Sequence, residues 1–327
     1  MRARAELEVW PLRAPFGISR GVSRESYVLH VTLESDGVCG HGEAEAAEFD
    51  QVEAEQTRRA CDAFLADWNG RPSRGSRATL QYDLAAGPIR NAIDCALWDL
   101  EAKQRGRRAW EIAGIAPAPI RTLFTIALDT PSAMAAVAAA HQHWPWLKVK
   151  LGGANDLARV AAVHAAAPHA RLLVDANGGW TRAELDAYAP TLASLGVALI
   201  EQPLAPGTDA ELADWRGPLP LCADESITDC SSLQSLSSGY RAINIKLDKT
   251  GGLTEALALA DEARARGLDV MVGCNLGTSL AMAPALLLAH RATIVDLDGP
   301  LLLARDREPS LVYHDGEIGW PERALWG

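Results

Sequence analysis

Two lysines one residue apart, Lys148-Val149-Lys150, close an apolar run that begins at Trp146-Leu147. Side chains alternate along a strand, so both ammonium groups leave by the same face. Lysine is rarely buried without a partner, and taken alone the pair reads as readily as an exposed strand tip. Other short apolar runs also end in charge: Asp175 in Val-Asp-Ala-Asn, Glu201 in Ile-Glu-Gln-Pro, Asp224 in Ala-Asp-Glu-Ser, Lys246 in Asn-Ile-Lys-Leu-Asp-Lys, and Asp296-Leu-Asp298. Three carboxylates brought together repel one another unless a cation sits among them. All-oxygen ligation suits a hard divalent ion, Mg2+ with positions left open for substrate oxygens. A base that removes a proton beside a carboxylate must be neutral near pH 7, and a neighbouring cation lowers a lysine pKa. This chemistry makes Lys150 one acid/base, Lys148 its electrostatic tuner and Lys246 a second acid/base, with the ion stabilising the resulting enediolate.

The elements that would position these groups follow from periodicity. Residues 7–12, 27–33 and 38–44 read as strands of an antiparallel sheet, and residues 50–66 and the run after Pro88 as helices, so residues 1–115 form an α+β unit. The connection 14–26 carries Arg20 and Arg24 and reads as a long polar loop. From about residue 121 short apolar runs alternate with alanine-rich helical stretches. Eight strands are expected, at 122–127, 146–151, 171–175, 198–201, 219–223, 242–246, 268–272 and 293–298. Helices at 131–143, 154–167, 182–195 and 254–266 lie between them. That alternation describes a (β/α)8 barrel over residues 116–299, with the site at the C-terminal ends of its strands. Strands two and six lie opposite in such a ring, so Lys150 and Lys246 face each other across it, on either side of a substrate α-carbon. Residues 300–327 form a tail expected to pack on the N-terminal unit.

The 327 residues are 48% hydrophobic, enough for a large core, and the net charge of −11 argues against sequence-independent nucleic-acid binding. The six cysteines show no paired spacing and read as reduced thiols. Neither a secretory leader nor a run of the ~18 apolar residues a membrane span needs is present, so the expectation is a cytoplasmic protein with no membrane partner.

The motifs Lys-Val-Lys, Val-Asp-Ala-Asn, Ile-Glu-Gln-Pro, Ala-Asp-Glu-Ser and Asn-Ile-Lys-Leu-Asp-Lys-Thr-Gly-Gly resemble the enolase superfamily, in its muconate-lactonizing-type subgroup. Lysine bases with Mg2+ are the known chemistry of that superfamily. The resemblance implies an α/β fold: a modified TIM (β/α) barrel with an N-terminal α+β capping domain completed by the C-terminal tail. It implies one Mg2+ per subunit, held by Asp175, Glu201 and Asp224. Asp296-Leu-Asp298 resembles the Asp-x-Asp motif of dipeptide epimerases, in which two carboxylates hold the α-ammonium of a small dipeptide. By the same resemblance Thr125 and the backbone near Cys274 touch substrate, and an arginine of the 14–26 loop, Arg20 or else Arg24, pairs with a glutamate side chain. The implied reaction is epimerisation of L-Ala-D-Glu, a murein-derived dipeptide. The alternatives are an o-succinylbenzoate synthase or an N-acylamino-acid racemase on the same scaffold. After Cys274 this chain has Asn275-Leu276-Gly277-Thr278, a departure from the methionines and acid that many members of the resembled group carry. The oligomeric state stays open, a homo-oligomer included.

Overall fold

A computed structural model describes residues 1–68 and 76–327. It begins with strands β1 (Arg2–Ile18), β2 (Gly21–Ser35) and β3 (Val38–Ala47), paired antiparallel in the order β1-β2-β3. Helices α1 (Gln51–Trp68), α2 (Arg77–Asp83) and α3 (Pro88–Gln104) follow. Proline opens α3, where its missing N–H costs nothing. The capping sheet and α3 touch backbone to backbone. A Cβ on Gly42 would lie 2.0 Å from the Ala92 carbonyl oxygen, and one on Gly40 would lie 2.3 Å from that of Ala96. Their core holds Leu29, Val31, Leu33, Cys61, Leu65 and Ile93.

The expected loop at 14–26 is a hairpin instead. β1 and β2 stay paired to Ile18↔Gly21, which leaves only Ser19 and Arg20 in the turn, and a register shift between Pro11 and Phe16 absorbs the irregular stretch. The turn rests on the barrel mouth. Leu128 N donates to Gly17 O at 2.8 Å, and Ser19 packs where Gly152 has no side chain.

Eight parallel strands run in sequence order: Phe124–Ile126, Trp146–Lys150, Arg171–Asp175, Val197–Glu201, Leu221–Ala223, Tyr240–Ile245, Asp269–Val272 and Ile294–Val295. Leu123 N donates to Val295 O at 2.9 Å, tying the first strand to the last. Helices Pro131–Ala140, Asp156–Ala166, Arg182–Ser194 and Leu253–Ala265 cover the outside. The expected strand-helix alternation is incomplete: short 3-10 turns, Asp209–Leu212 and Cys230–Gln234, follow strands four and five. Inside the ring, Leu123, Leu173, Leu199, Cys222, Ala242 and Met271 form an apolar floor. Two residues further along their strands, on the same inward face, stand Thr125, Asp175, Glu201, Asp224 and Asn244. The floor fills the barrel, and the polar layer begins immediately above it.

Strand eight is shorter than the expected 293–298. It ends at Val295, and Asp298, at φ −96° and ψ 3°, caps the short helix Gly299–Leu302 that Pro300 favours. Strand alternation therefore does not set the direction of both acids, although both are buried. The last residues reach the capping unit: Ala304 N donates to Pro11 O (2.8 Å), Trp326 Nε1 to Cys95 O (3.0 Å) and Gly327 N to Asp99 Oδ1 (2.6 Å). They also reach the barrel, through Thr122 N to Gly316 O at 2.8 Å. Among the described residues no helix is long and apolar enough to cross a membrane.

Candidate active site

Strand alternation brings Lys148 and Lys150 inward together, and both end on Asp175 Oδ2, at 3.1 and 2.7 Å. Lys148 Nζ also lies 2.8 Å from Glu201 Oε2 and 2.8 Å from Asp296 Oδ2. The pair is thus no solvated tip: Lys148 is 1% exposed. Across the ring Lys246 Nζ donates to Asp224 Oδ2 at 2.7 Å, and Lys249 holds the other oxygen of the same carboxylate. Lys150 and Lys246 line one pocket together with Thr125, Lys148, Asp296 and Asp298.

Asp175, Glu201 and Asp224 are fully buried and each offers a carboxylate oxygen within 4.8 Å of the others. Their charges are unevenly compensated. Against the penalty of burial, Lys150 and Lys148 hold Asp175 down to about 2, and Lys246 and Lys249 hold Asp224 well below the ordinary range. Burial and then Asp175 push Glu201 up to about 8. Glu201 Oε1 accepts from Asn244 Nδ2 at 2.7 Å, while among the described residues buried Oε2 meets only the Lys148 ammonium. Three buried carboxylates whose oxygens converge in this way fit a hard divalent cation. Burial opposes the charge of Lys148, but Asp296, Glu201 and Asp175 raise its pKa well above the usual lysine value. It is a permanent cation beside Lys150. Lys246 is likewise raised, by Asp224 against burial, so carboxylates outweigh cations at that lysine.

Asp298 Oδ2 accepts from Thr125 N at 2.6 Å, and Thr125 Oγ1 lies 3.4 Å from Asp296 Oδ1. Burial and then Asp296 push Asp298 up to about 7. Cys274 is in the pocket wall, its thiol pushed well up by burial and by Asp296 and Asp298. Arg20, at the hairpin tip, also lines the pocket, with its guanidinium bound to Glu225 Oε1 (2.6 Å) and Glu48 Oε1 (2.9 Å). Arg24 is exposed and outside it. Sequence reasoning missed Lys249 and the capping-domain wall of Phe16, Ile18, Glu45, Glu48 and Phe49. Alternation of Phe16 with Ile18 and of Glu43 with Glu45 carried the signal for the wall.

A parallel barrel with lysines on opposite strands around three buried acids, under an antiparallel cap, defines an enzyme class. Residues 2–114 match the mandelate racemase/muconate lactonizing enzyme N-terminal domain and residues 132–324 the enolase C-terminal domain-like family, so the chain belongs to the enolase superfamily. It is 43% identical to the L-Ala-D/L-Glu epimerase of Escherichia coli over 95% of this chain and 97% of that protein. It is 47% identical to an N-acetyl-D-glutamate racemase of a Pseudoalteromonas species over 75% of this chain and 78% of that one. A solved enolase family member from Agrobacterium tumefaciens, with homology to dipeptide epimerases and bound sodium and L-Ala-L-Glu, superposes with a TM-score of 0.93 at 43% identity over 99% of both chains.

Proposed function

We propose that the protein epimerises the C-terminal residue of a small dipeptide, L-Ala-D-Glu first among them, by two-lysine proton transfer. The observation that carries this reading is the shared pocket of Lys150 and Lys246 beside the Asp175–Glu201–Asp224 cluster. Those three carboxylates would hold one Mg2+, which when bound supplies Lewis-acid stabilisation of the charge that develops on the substrate carboxylate. Lys150 or Lys246 removes the α-proton and the other delivers a proton to the opposite face. Lys148 keeps a fixed positive charge beside Lys150. Asp296 and Asp298 accept from the substrate ammonium, Thr125 and Cys274 border the substrate, and Arg20 meets its side-chain carboxylate. Residues 1–115 and 300–327 would form the cap and 116–299 the catalytic barrel, working in the cytoplasm on murein-derived peptides.

A second reading, racemisation of an N-acylated glutamate, is favoured by one observation: Asp296 already faces Lys148 and Asp298 already accepts from Thr125 N, so the acid pair has partners without an ammonium. Incubation with Mg2+ in D2O, following α-deuteration by NMR, tests both. Exchange into L-Ala-D-Glu with none into N-acetyl-D-glutamate is the expected result, the reverse establishes the second reading, and exchange into neither refutes both.

A further inference from the structure

Among the described residues Arg20 is the only arginine in the pocket wall, and two carboxylates already share it, Glu48 and Glu225. An incoming side-chain carboxylate therefore meets a guanidinium whose charge is more than balanced. A second donor is needed beside it, and the capping strand supplies one. Gly42 and Ala44 face α3, so Glu43 and Glu45 project from the other face of β3, toward the barrel. Glu43 is consumed there, accepting from Thr278 N at 2.7 Å and pairing with Arg307 at 2.8 Å. Glu45 is not. Its backbone N–H is fixed by Asp248 Oδ1 at 3.0 Å, while its carboxyl lines the pocket with no hydrogen bond or ion pair to any described residue.

We infer that Glu45 is a specificity residue: its carboxyl lines the pocket together with Arg20 and donates a hydrogen bond to the side-chain carboxylate of the residue being inverted. The groups around it decide its charge. Burial first, then Asp248 from beyond strand six and Glu48 from the end of β3, push the Glu45 carboxyl well up, outweighing Lys246 and Arg20. Lys148, Lys150, Asp296 and Asp298 line the same pocket. A neutral carboxyl is a donor, and an ionised one in this place would repel an acidic side chain.

The inference rests on the proposed epimerase reading. Its test is steady-state kinetics of the Mg2+-loaded protein on L-Ala-D-Glu and the near-isosteric L-Ala-D-Gln across pH. KM for L-Ala-D-Glu should climb as the pH rises through the raised pKa of the Glu45 carboxyl, where the donor is lost, while KM for L-Ala-D-Gln stays level. Glu45→Gln keeps a neutral donor and should keep the preference for the acidic dipeptide with the pH dependence removed. Glu45→Ala should lose about tenfold of that preference, carried by KM, the size expected for one hydrogen bond to a charged group. A preference unmoved by Glu45→Ala, KM values that rise together for both dipeptides, or a Glu45→Gln enzyme about tenfold better on L-Ala-D-Glu would each overturn the inference while leaving the epimerase reading intact. Absence of α-proton exchange with both dipeptides removes that reading and the inference with it.

Discussion

Each inward lysine has a different set of neighbours, and the neighbours separate their duties. Lys148 touches Asp175, Glu201 and Asp296, so it is a structural cation as much as an electrostatic one. Replacing it by methionine leaves buried Glu201 and Asp296 without this cation, while Asp175 keeps Lys150, and should cost about 3–5 kcal/mol of stability, the range for breaking a buried pair from one side. Added Mg2+ should return part of that loss, which thermal unfolding with and without the ion measures; a melting temperature equal to wild type without Mg2+ would refute the role. Lys246 differs, because its partner Asp224 keeps Lys249 when it is gone. Lys246→Ala should fold normally and abolish epimerisation, yet leave deuterium exchange from the single stereoisomer that presents its proton to Lys150. Unchanged turnover, or equal exchange from both stereoisomers, would exclude the two-base assignment. These charges were legible in the sequence because a strand with period two announces its inward face. Lys249 escaped notice because it lies past the strand end, in the short helix Leu247–Thr250, where that period no longer holds.

At the scale of elements, the hairpin tip and the wall after strand seven were the hardest parts to foresee. Polar and glycine-rich residues at 14–26 look like loop, but cross-strand pairing continues nearly to the turn because the tip has a barrel surface to rest on. Strand eight ended early for a local reason: Gly299-Pro300 starts a helix there. The segment Asn275–Thr278 is held from the cap. Glu43 accepts from Thr278, and Ser26 Oγ donates to Leu276 O at 2.9 Å. Glu43→Gln should therefore weaken folding by about 1.5–3 kcal/mol, the worth of a hydrogen bond to a charged group, and raise KM through the Cys274–Leu276 wall. Urea denaturation and steady-state kinetics check the two effects, and a stable variant with native KM would show that the contact does not position the wall. Gly42→Ala should destabilise by about 1–3 kcal/mol through overpacking against α3, read by the same denaturation experiment.

In the whole molecule, cap and barrel meet through buried acids as well as apolar surface. Asp94 on α3 accepts from Thr254 N of the barrel at 2.9 Å and from Gln81 Nε2 at 3.1 Å, and burial raises it to about 6 from 3.8. A carboxyl raised in the folded state binds its proton more tightly there than in the unfolded chain. Its contribution is therefore full below about pH 4 and is lost as the pH rises through about 6. Asp94→Asn removes that loss, and the buried Gln81 Oε1, which lacks a partner among the described residues, can accept from the new amide. The variant should match wild type near pH 4 and gain on it by up to roughly 3 kcal/mol above pH 6, measured by denaturation at both; a constant difference would refute the titration. The architecture itself was readable from the alternation of strands and helices, whereas this interface was not, since contacts between Asp94 and Thr254 span 160 residues of sequence. One consequence follows from the two-residue turn at Ser19-Arg20. Phe16, Ile18, Arg20, Glu45 and Glu48 all belong to the first 50 residues, and the lysines proposed to move protons and the acid cluster all belong to the barrel. The cap's share of the pocket wall and the barrel's lysines and acids are thus encoded in separate stretches of the gene, although Thr125, Cys274, Asp296 and Asp298 add barrel residues to the same wall. A chimera that keeps this barrel under a relative's cap is a route to new substrates that leaves the chemistry untouched, and mutagenic libraries are best confined to the cap.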